Sequence, residues 1–100
     1  MILLRIVSKS EAKIEEIAKL LLTEKFVIDV NIKREAQRVE LVNDRLKYAS
    51  VFVLTAKTKA TLFATINKRL NLEFPQNLPE IYALPIVEMD WKQANVLRKV

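Results

Sequence analysis

Apolar residues recur with two different periods along the chain, and the change of period marks the predicted elements. Residues 1–7 are almost continuously apolar, which predicts a central strand covered on both faces. A helix is predicted over roughly residues 9–24, where four apolar residues fall at helical spacing. These are Ile14, Ile17, Ala18 and Leu21. Ser8 is the expected N-cap of this helix, with Glu11 reaching back to it in a capping box.

The next stretch has the period of two that is typical of strands. Phe26–Ile32 is predicted as the second strand, and Arg38–Val42 can continue it. Phe26, Ile28, Val30 and Ile32 should share one face of this strand, and Val27, Asp29 and Asn31 the other. Asn43 and Asp44 mark the turn, because these residues best tolerate the left-handed conformation when no glycine is present. A returning strand is predicted over residues 46–56. The result is a long hairpin with a basic tip.

The remaining third of the chain predicts a helix, a strand and a short terminal helix. The helix follows Lys57, with Thr58 as N-cap and Asn71 as C-cap. A strand is predicted from about Glu80 to Val87. Pro85 should interrupt this strand or place it at a sheet edge, since proline has no N–H to donate. The terminal helix should follow Asp90 as its N-cap.

The predicted order is βαββαβ with a terminal helix, which indicates a single α+β domain over residues 1–100 with a ferredoxin-like fold. Right-handed crossovers would place both main helices on one face of an antiparallel sheet. The other face would be uncovered and too apolar to face water entirely. We therefore expect sister subunits to bury it.

Composition excludes several kinds of site. The chain has no cysteine, no histidine and no glycine. It therefore lacks disulfides, thiolate or imidazole metal ligands, and the glycine-rich phosphate loops of nucleotide-binding folds. We expect no cofactor beyond a weakly bound divalent cation. A net charge of +5 permits anionic partners without requiring them. No apolar run approaches the length of a membrane span, so we expect no membrane contact and a cytoplasmic location.

The segment LPEIYALPIVEMDW, from Leu78 to Trp91, closely resembles a segment of the CutA-type divalent-cation tolerance proteins. The resemblance extends over nearly the whole chain in order. The matching positions are Val30, Asn31, Ile32, Lys57, Thr58, Pro75, Pro79, Glu80, Ala83, Leu84 and Pro85. The chain departs from the family pattern where Asp29 replaces a cysteine and Phe74 replaces a histidine, and it lacks the usual aromatic signature of the hairpin.

The resemblance implies a non-catalytic homotrimer that acts in tolerance or response to divalent metal ions, copper especially. It also implies a cleft between subunits at the matching residues Asn31, Lys57, Thr58 and Glu80. An alternative is a trimeric signal-type protein that binds a small anion in this cleft, as nitrogen-regulatory signal proteins of similar fold do. Lys57 beside a helix N-terminus would hold the anion, with Glu80 orienting the lysine. Equally, these residues could form only a cap and a surface salt bridge.

Three further interpretations are weaker. Asp29 is a candidate ligand for a hard cation, although a solvated strand face explains it more simply. The basic hairpin tip could contact nucleic acid, but Tyr48 is its only nearby aromatic residue, so this partner is not expected. An acylphosphatase-type enzyme shares the fold. That activity needs a glycine-rich loop with an arginine, and neither is found in Val7–Ser10.

Overall fold

The computed structural model describes all residues, 1–100, and contains one four-stranded antiparallel sheet and three α-helices. In chain order these elements are β1 Ile2–Ser8, α1 Glu11–Thr23, β2 Asn31–Val42, β3 Arg45–Thr58, α2 Phe63–Glu73, β4 Glu80–Pro85 and α3 Trp91–Leu97. The order of strands across the sheet is β2-β3-β1-β4. The predicted βαββαβ ferredoxin-like fold with a short terminal helix is therefore confirmed.

The core lies between one face of the sheet and the helices. Alternate residues of β1, such as Leu4 and Ile6, face Ala56 and Leu54 of β3 across the ladder, and all four are buried. The four residues predicted as the buried stripe of α1 are likewise buried, and α2 contributes Ile66 and Leu70. The helical period in the sequence thus identified the surface that packs on the sheet.

β4 lies at one edge of the sheet, as Pro85 predicted. Pro85 is its last residue and pairs with Ile2. The chain then leaves the ladder, and the Ile86 N–H donates to the Met1 carbonyl over 3.0 Å. The strand is therefore shorter than predicted and does not reach Val87. The outer edges of β4 and β2 have no neighbouring strand within the chain.

The start of α1 differs from the prediction by two residues. Ser8 remains in β1, where it pairs with Phe52, and its hydroxyl accepts a hydrogen bond from the Ser10 N–H. Ser10 is the N-cap, and its side chain accepts from the Lys13 N–H over 3.2 Å. Ladder pairing competes for Ser8, so the second of two suitable serines caps the helix.

The second strand begins at Asn31 rather than at Phe26. Lys25 has a positive φ of 60°, and the following segment is irregular. Val27 is 4% exposed while Ile28 is 45% exposed, so these two residues reverse the alternation expected of a strand, although Phe26, Val30 and Ile32 still pack against the core. Val27 enters the core from a connecting segment, so its burial does not depend on strand pairing.

The second helix also differs at both ends. Thr58 is the last residue of β3, a 3-10 turn spans Ala60–Leu62, and α2 follows it without a side-chain N-cap. Asn71 lies inside α2, where its side chain donates to the Asn67 carbonyl, and Phe74 ends the helix. Both predicted caps, Thr58 and Asn71, are therefore wrong.

The β2–β3 hairpin extends beyond the helices and contributes to a longest dimension of 48 Å. Its turn is at Asn43 and Asp44, with φ values of 52° and 61°, as predicted. Near the tip an apolar row lies on the same side of β3 as the core residues, but no helix covers it. This row consists of the cross-strand pairs Val39–Tyr48 and Leu41–Leu46, whose members are 49–69% exposed.

Candidate functional site

Asp29 and Lys57 lie together at one end of the molecule. They line a cavity of about 260 Å³ with Met89 and Gln93 from the C-terminal segment. Both side chains are exposed, and neither forms a salt bridge. The sequence predicted that Asp29 and Asn31 share a strand face. This prediction is wrong, because Asp29 lies in the irregular connection before β2. This cavity offers an unpaired ammonium group close to one carboxylate.

Thr58 has a structural role beside this cavity. Its side chain is fully buried, and its hydroxyl donates to the Phe26 carbonyl over 2.7 Å. The bond joins the end of β3 to the irregular segment before β2, where ladder bonds are missing. A buried hydroxyl already committed to a carbonyl is not exposed to a ligand within this chain.

Asn31 opens β2 and lies opposite Thr55. It is exposed on the sheet face that carries no helices and lines a different cavity, together with Arg5 and Lys33. The candidate residues Asn31 and Lys57 therefore belong to two neighbouring cavities rather than one.

Glu80 lies at the other end of the sheet from Lys57. Through β1, Glu80 is level with Val7, whereas Lys57 is level with Leu3. Four residues of strand separate the two levels, which is about 13 Å along the strand direction. The expectation that Glu80 lies beside Lys57 and orients it is therefore wrong within one chain.

Glu80 instead forms a bidentate ion pair with Arg38 of β2. The two guanidinium nitrogens lie 2.6 and 2.8 Å from the two carboxylate oxygens. These hydrogen bonds are the main reason that the pKa of Arg38 is raised above its usual value, and the charge of Glu80 adds to the effect. The fork geometry fixes both side chains. It also connects β2 to β4 across two intervening strands.

A cavity of about 330 Å³ surrounds this ion pair, and sequence reasoning did not identify it. It lies between the β1–α1 connection, with Ser8 and Ser10, and the loop before β4. The Lys13 ammonium closes one side by donating to the Asn77 carbonyl over 2.6 Å. Two of its three cations, Lys13 and Arg38, are thus already bonded within the chain, whereas Lys9 forms no salt bridge. The adjacent serines and lysines were visible in the sequence, but Arg38 reaches them only through strand pairing.

No three carboxylate side chains come together as a metal-binding group. Met1 and Met89 are the only sulfur-containing residues of the chain. Asp29, the candidate cation ligand, has only Lys57 as a charged neighbour in its cavity, and an ammonium group opposes a cation. The donor set of a single chain thus suits neither Cu(I) nor Cu(II), which prefer sulfur and imidazole ligands.

The CutA1 divalent ion tolerance protein family model matches residues 2–98. The chain belongs to the CutA1 family. The match includes every strand and helix described above and omits only Met1 and the last two residues. A comparison with curated protein sequences finds no match.

Solved CutA1 structures agree with this assignment. A divalent cation tolerance protein from Thermus thermophilus is 28% identical, with a TM-score of 0.83 and coverage of 99% of this chain and 97% of that one. The CutA of Archaeoglobus fulgidus, described as periplasmic, is 24% identical, with a TM-score of 0.83 and coverage of 99% and 97%. CutA1 from Oryza sativa is 20% identical, with a TM-score of 0.83 and coverage of 98% and 90%. The last two likenesses show the CutA1 fold alone.

The CutA1 assignment confirms the resemblance seen in the sequence, and the structure shows which matching residues maintain the fold. Pro85 ends the edge strand, and Thr58 forms a buried hydrogen bond. Lys57 and Asn31 are exposed, so they are free to contact a ligand or a neighbouring chain. No helix of the chain is long and apolar enough to cross a membrane.

Proposed function

We propose that the protein is a non-catalytic CutA1-type homotrimer that acts in tolerance or response to divalent metal ions, including copper. The observation that carries the proposal is the sheet face opposite the one on which α1 and α2 pack. On that open face Val51 and Val53 are already buried within the chain, but Tyr82 and Leu84 are 38% and 45% exposed. Sister subunits would remove this apolar surface from water, and the family assignment supplies the metal-ion role.

The hairpin supports assembly independently. Leu41 and Leu46 are 69% and 62% exposed, and they face each other near the tip. A two-stranded hairpin that extends alone into water is marginally stable, whereas packing on another subunit would cover its apolar row. The unpaired edges of β2 and β4 offer further backbone donors and acceptors to a partner.

The proposed metal role involves response rather than tight storage, because one chain lacks the ligands that copper prefers. A bound divalent cation would be weakly held. We place the protein in the cytoplasm in this proposal. Fractionation of cells that express the native chain would test this location directly, which is of interest because the Archaeoglobus protein is described as periplasmic.

Light scattering of the untagged protein tests the assembly, and a mass of three chains is expected at micromolar concentration. A stable one-chain mass would contradict it. The metal role is tested by growth in raised copper of a host that lacks its own CutA1 protein, with and without this chain. Unchanged growth at matched expression would contradict that part of the proposal.

A second candidate function is the binding of a small anion between subunits. Its specific support is that Lys57 is exposed and forms no salt bridge. If Lys57 carries such a site, Lys57→Ala should abolish anion binding without loss of the trimer. Loss of assembly with no anion bound by the wild type would instead identify Lys57 as an interface residue.

A further inference from the structure

Arg5 lies at the centre of the open sheet face and is not fully paired. It belongs to the central strand β1, opposite Thr55 on one side and Tyr82 on the other. Asn31 lies next to Thr55, so these four residues form one row across the sheet. The Arg5 Nε is the only buried side-chain polar atom without a hydrogen-bond partner in the chain. A buried donor without an acceptor is costly, so an acceptor from outside the chain would stabilise this side chain.

The surroundings of Arg5 favour an anionic acceptor. Arg5 lines a cavity of about 300 Å³ together with Asn31, Lys33 and Thr55, and Leu3 and Leu84 are among its apolar walls. None of the lining residues is acidic. Lys33 forms no salt bridge, so two cationic side chains face the same space without a counter-charge.

Tyr82 does not supply the hydrogen-bond acceptor that the Arg5 Nε lacks. The Arg5 guanidinium carbon lies 5.8 Å from the centroid of the Tyr82 ring, a distance at which the ring stabilises the cation. A ring face supplies no lone pair in the plane of the guanidinium. The Nε donor therefore has no oxygen acceptor within the chain.

We propose that this cavity binds a small multivalent oxyanion, with a phosphate or carboxylate group on the guanidinium of Arg5. The guanidinium fork matches two oxygens of such a group, and the Lys33 ammonium adds a second positive charge. The Asn31 amide and the Thr55 hydroxyl donate to the remaining oxygens. The volume is at the lower end of the range for small-molecule sites, which suits an ion rather than a nucleotide.

This site gives the anion-binding function proposed above a specific location. It rests on the proposed self-association, because a neighbouring subunit would enclose the cavity. Sister subunits that cover the open face would remove Arg5 and Lys33 from water. Two unpaired cations in that environment would oppose assembly, and a bound oxyanion would neutralise them. The anion should therefore bind the assembled protein more tightly than separated chains, and it should stabilise the assembly by linkage.

The test is calorimetric titration of the untagged protein in chloride buffer, with inorganic phosphate in one series and citrate in the other. Arg5→Leu removes the charge and the fork, and Lys33→Ala removes the second ammonium group together with its aliphatic stem. Lys68→Leu is the matched control, because Lys68 is exposed on α2 in the layer away from the open face. We expect wild type and Lys68→Leu to bind equally. Arg5→Leu should bind about tenfold more weakly or worse, and Lys33→Ala should bind detectably more weakly.

The two series identify the ligand group, because tighter binding of phosphate or of citrate shows which oxyanion fits. Light scattering on the same samples separates this proposal from the proposed function. A trimer that binds neither anion would overturn the oxyanion site and leave the trimer intact. A monomer that binds phosphate through Arg5 would support the site and contradict the trimer. Equal binding by wild type and by folded Lys33→Ala and Arg5→Leu would also overturn the site.

Discussion

The double substitution Leu41→Ser/Leu46→Ser is predicted to dissociate the proposed trimer without unfolding the chain. Burial of a fully exposed leucine side chain contributes about 1.5–3 kcal/mol. These two side chains retain 69% and 62% of their exposure in the single chain. If the neighbouring subunit buries that remainder, the pair contributes about 2–4 kcal/mol per subunit, or about 6–12 kcal/mol per trimer.

Such a loss is measurable by dilution. The concentration at which half of the chains are dissociated should rise about 10²- to 10⁴-fold, since each 1.4 kcal/mol corresponds to about a factor of ten and trimer formation depends on the square of concentration. Sedimentation equilibrium over a dilution series measures this midpoint. Circular dichroism should remain close to that of the wild type, because the substituted side chains contribute little to the core of one chain.

The matched control is Leu22→Ser/Leu72→Ser. These leucines lie on α1 and α2 and are 40% and 70% exposed, but they belong to the helical layer. We expect the control to dissociate at the wild-type concentration. The reasoning would be refuted if the hairpin variant and the control had the same midpoint, or if the wild type were already monomeric.

Three other predictions concern single interactions. Thr58→Val should lower the free energy of unfolding by about 1–3 kcal/mol, because it leaves the Phe26 carbonyl without its buried donor. Thr58→Ser keeps the hydroxyl and should retain most of the wild-type stability. Thermal unfolding at fixed protein concentration measures both variants. Glu80→Gln should lower the melting temperature by an amount that stays constant from about pH 6 to pH 10. Because the pKa of Arg38 is raised in the folded protein, the stability that the Arg38–Glu80 ion pair contributes is present below the unfolded pKa of arginine and is lost only far into the alkaline range. A difference in melting temperature that shrinks between about pH 6 and pH 10 would contradict this explanation. Calorimetry with Cu(II) should find no stoichiometric sub-micromolar site in the untagged protein, and one such site would show that assembly creates ligands that a single chain lacks.

Much of the fold followed from local patterns whose physical cause lies in adjacent residues. The α1 stripe was predictable because a helix brings every third or fourth residue to one face. The turn at Asn43 and Asp44 and the cap at Asp90 were predictable for a similar reason. Asp90 accepts hydrogen bonds from the N–H groups of Lys92 and Gln93, so its role depends only on its immediate neighbours.

Tertiary structure decided the features in which distant segments compete for the same residue. Ser8 could cap a helix but is held in β1 by Phe52, and Thr58 could cap one but is held by the Phe26 carbonyl. The sequence pattern of Val27 is that of a strand residue, but in the folded chain Val27 is buried in the core from a connecting segment.

The candidate site shows the same division. The sequence determined by itself which residues could bind, since side-chain chemistry and the absence of cysteine and histidine are local facts. Strand register alone decided which of them meet. It separated Lys57 from Glu80, joined Glu80 to Arg38, and placed Arg5 in one row with Asn31. The predicted turn at Asn43 and Asp44 fixes the register of β2 against β3, but the register of β1 against β3 and β4 depends on pairing between segments far apart in the chain.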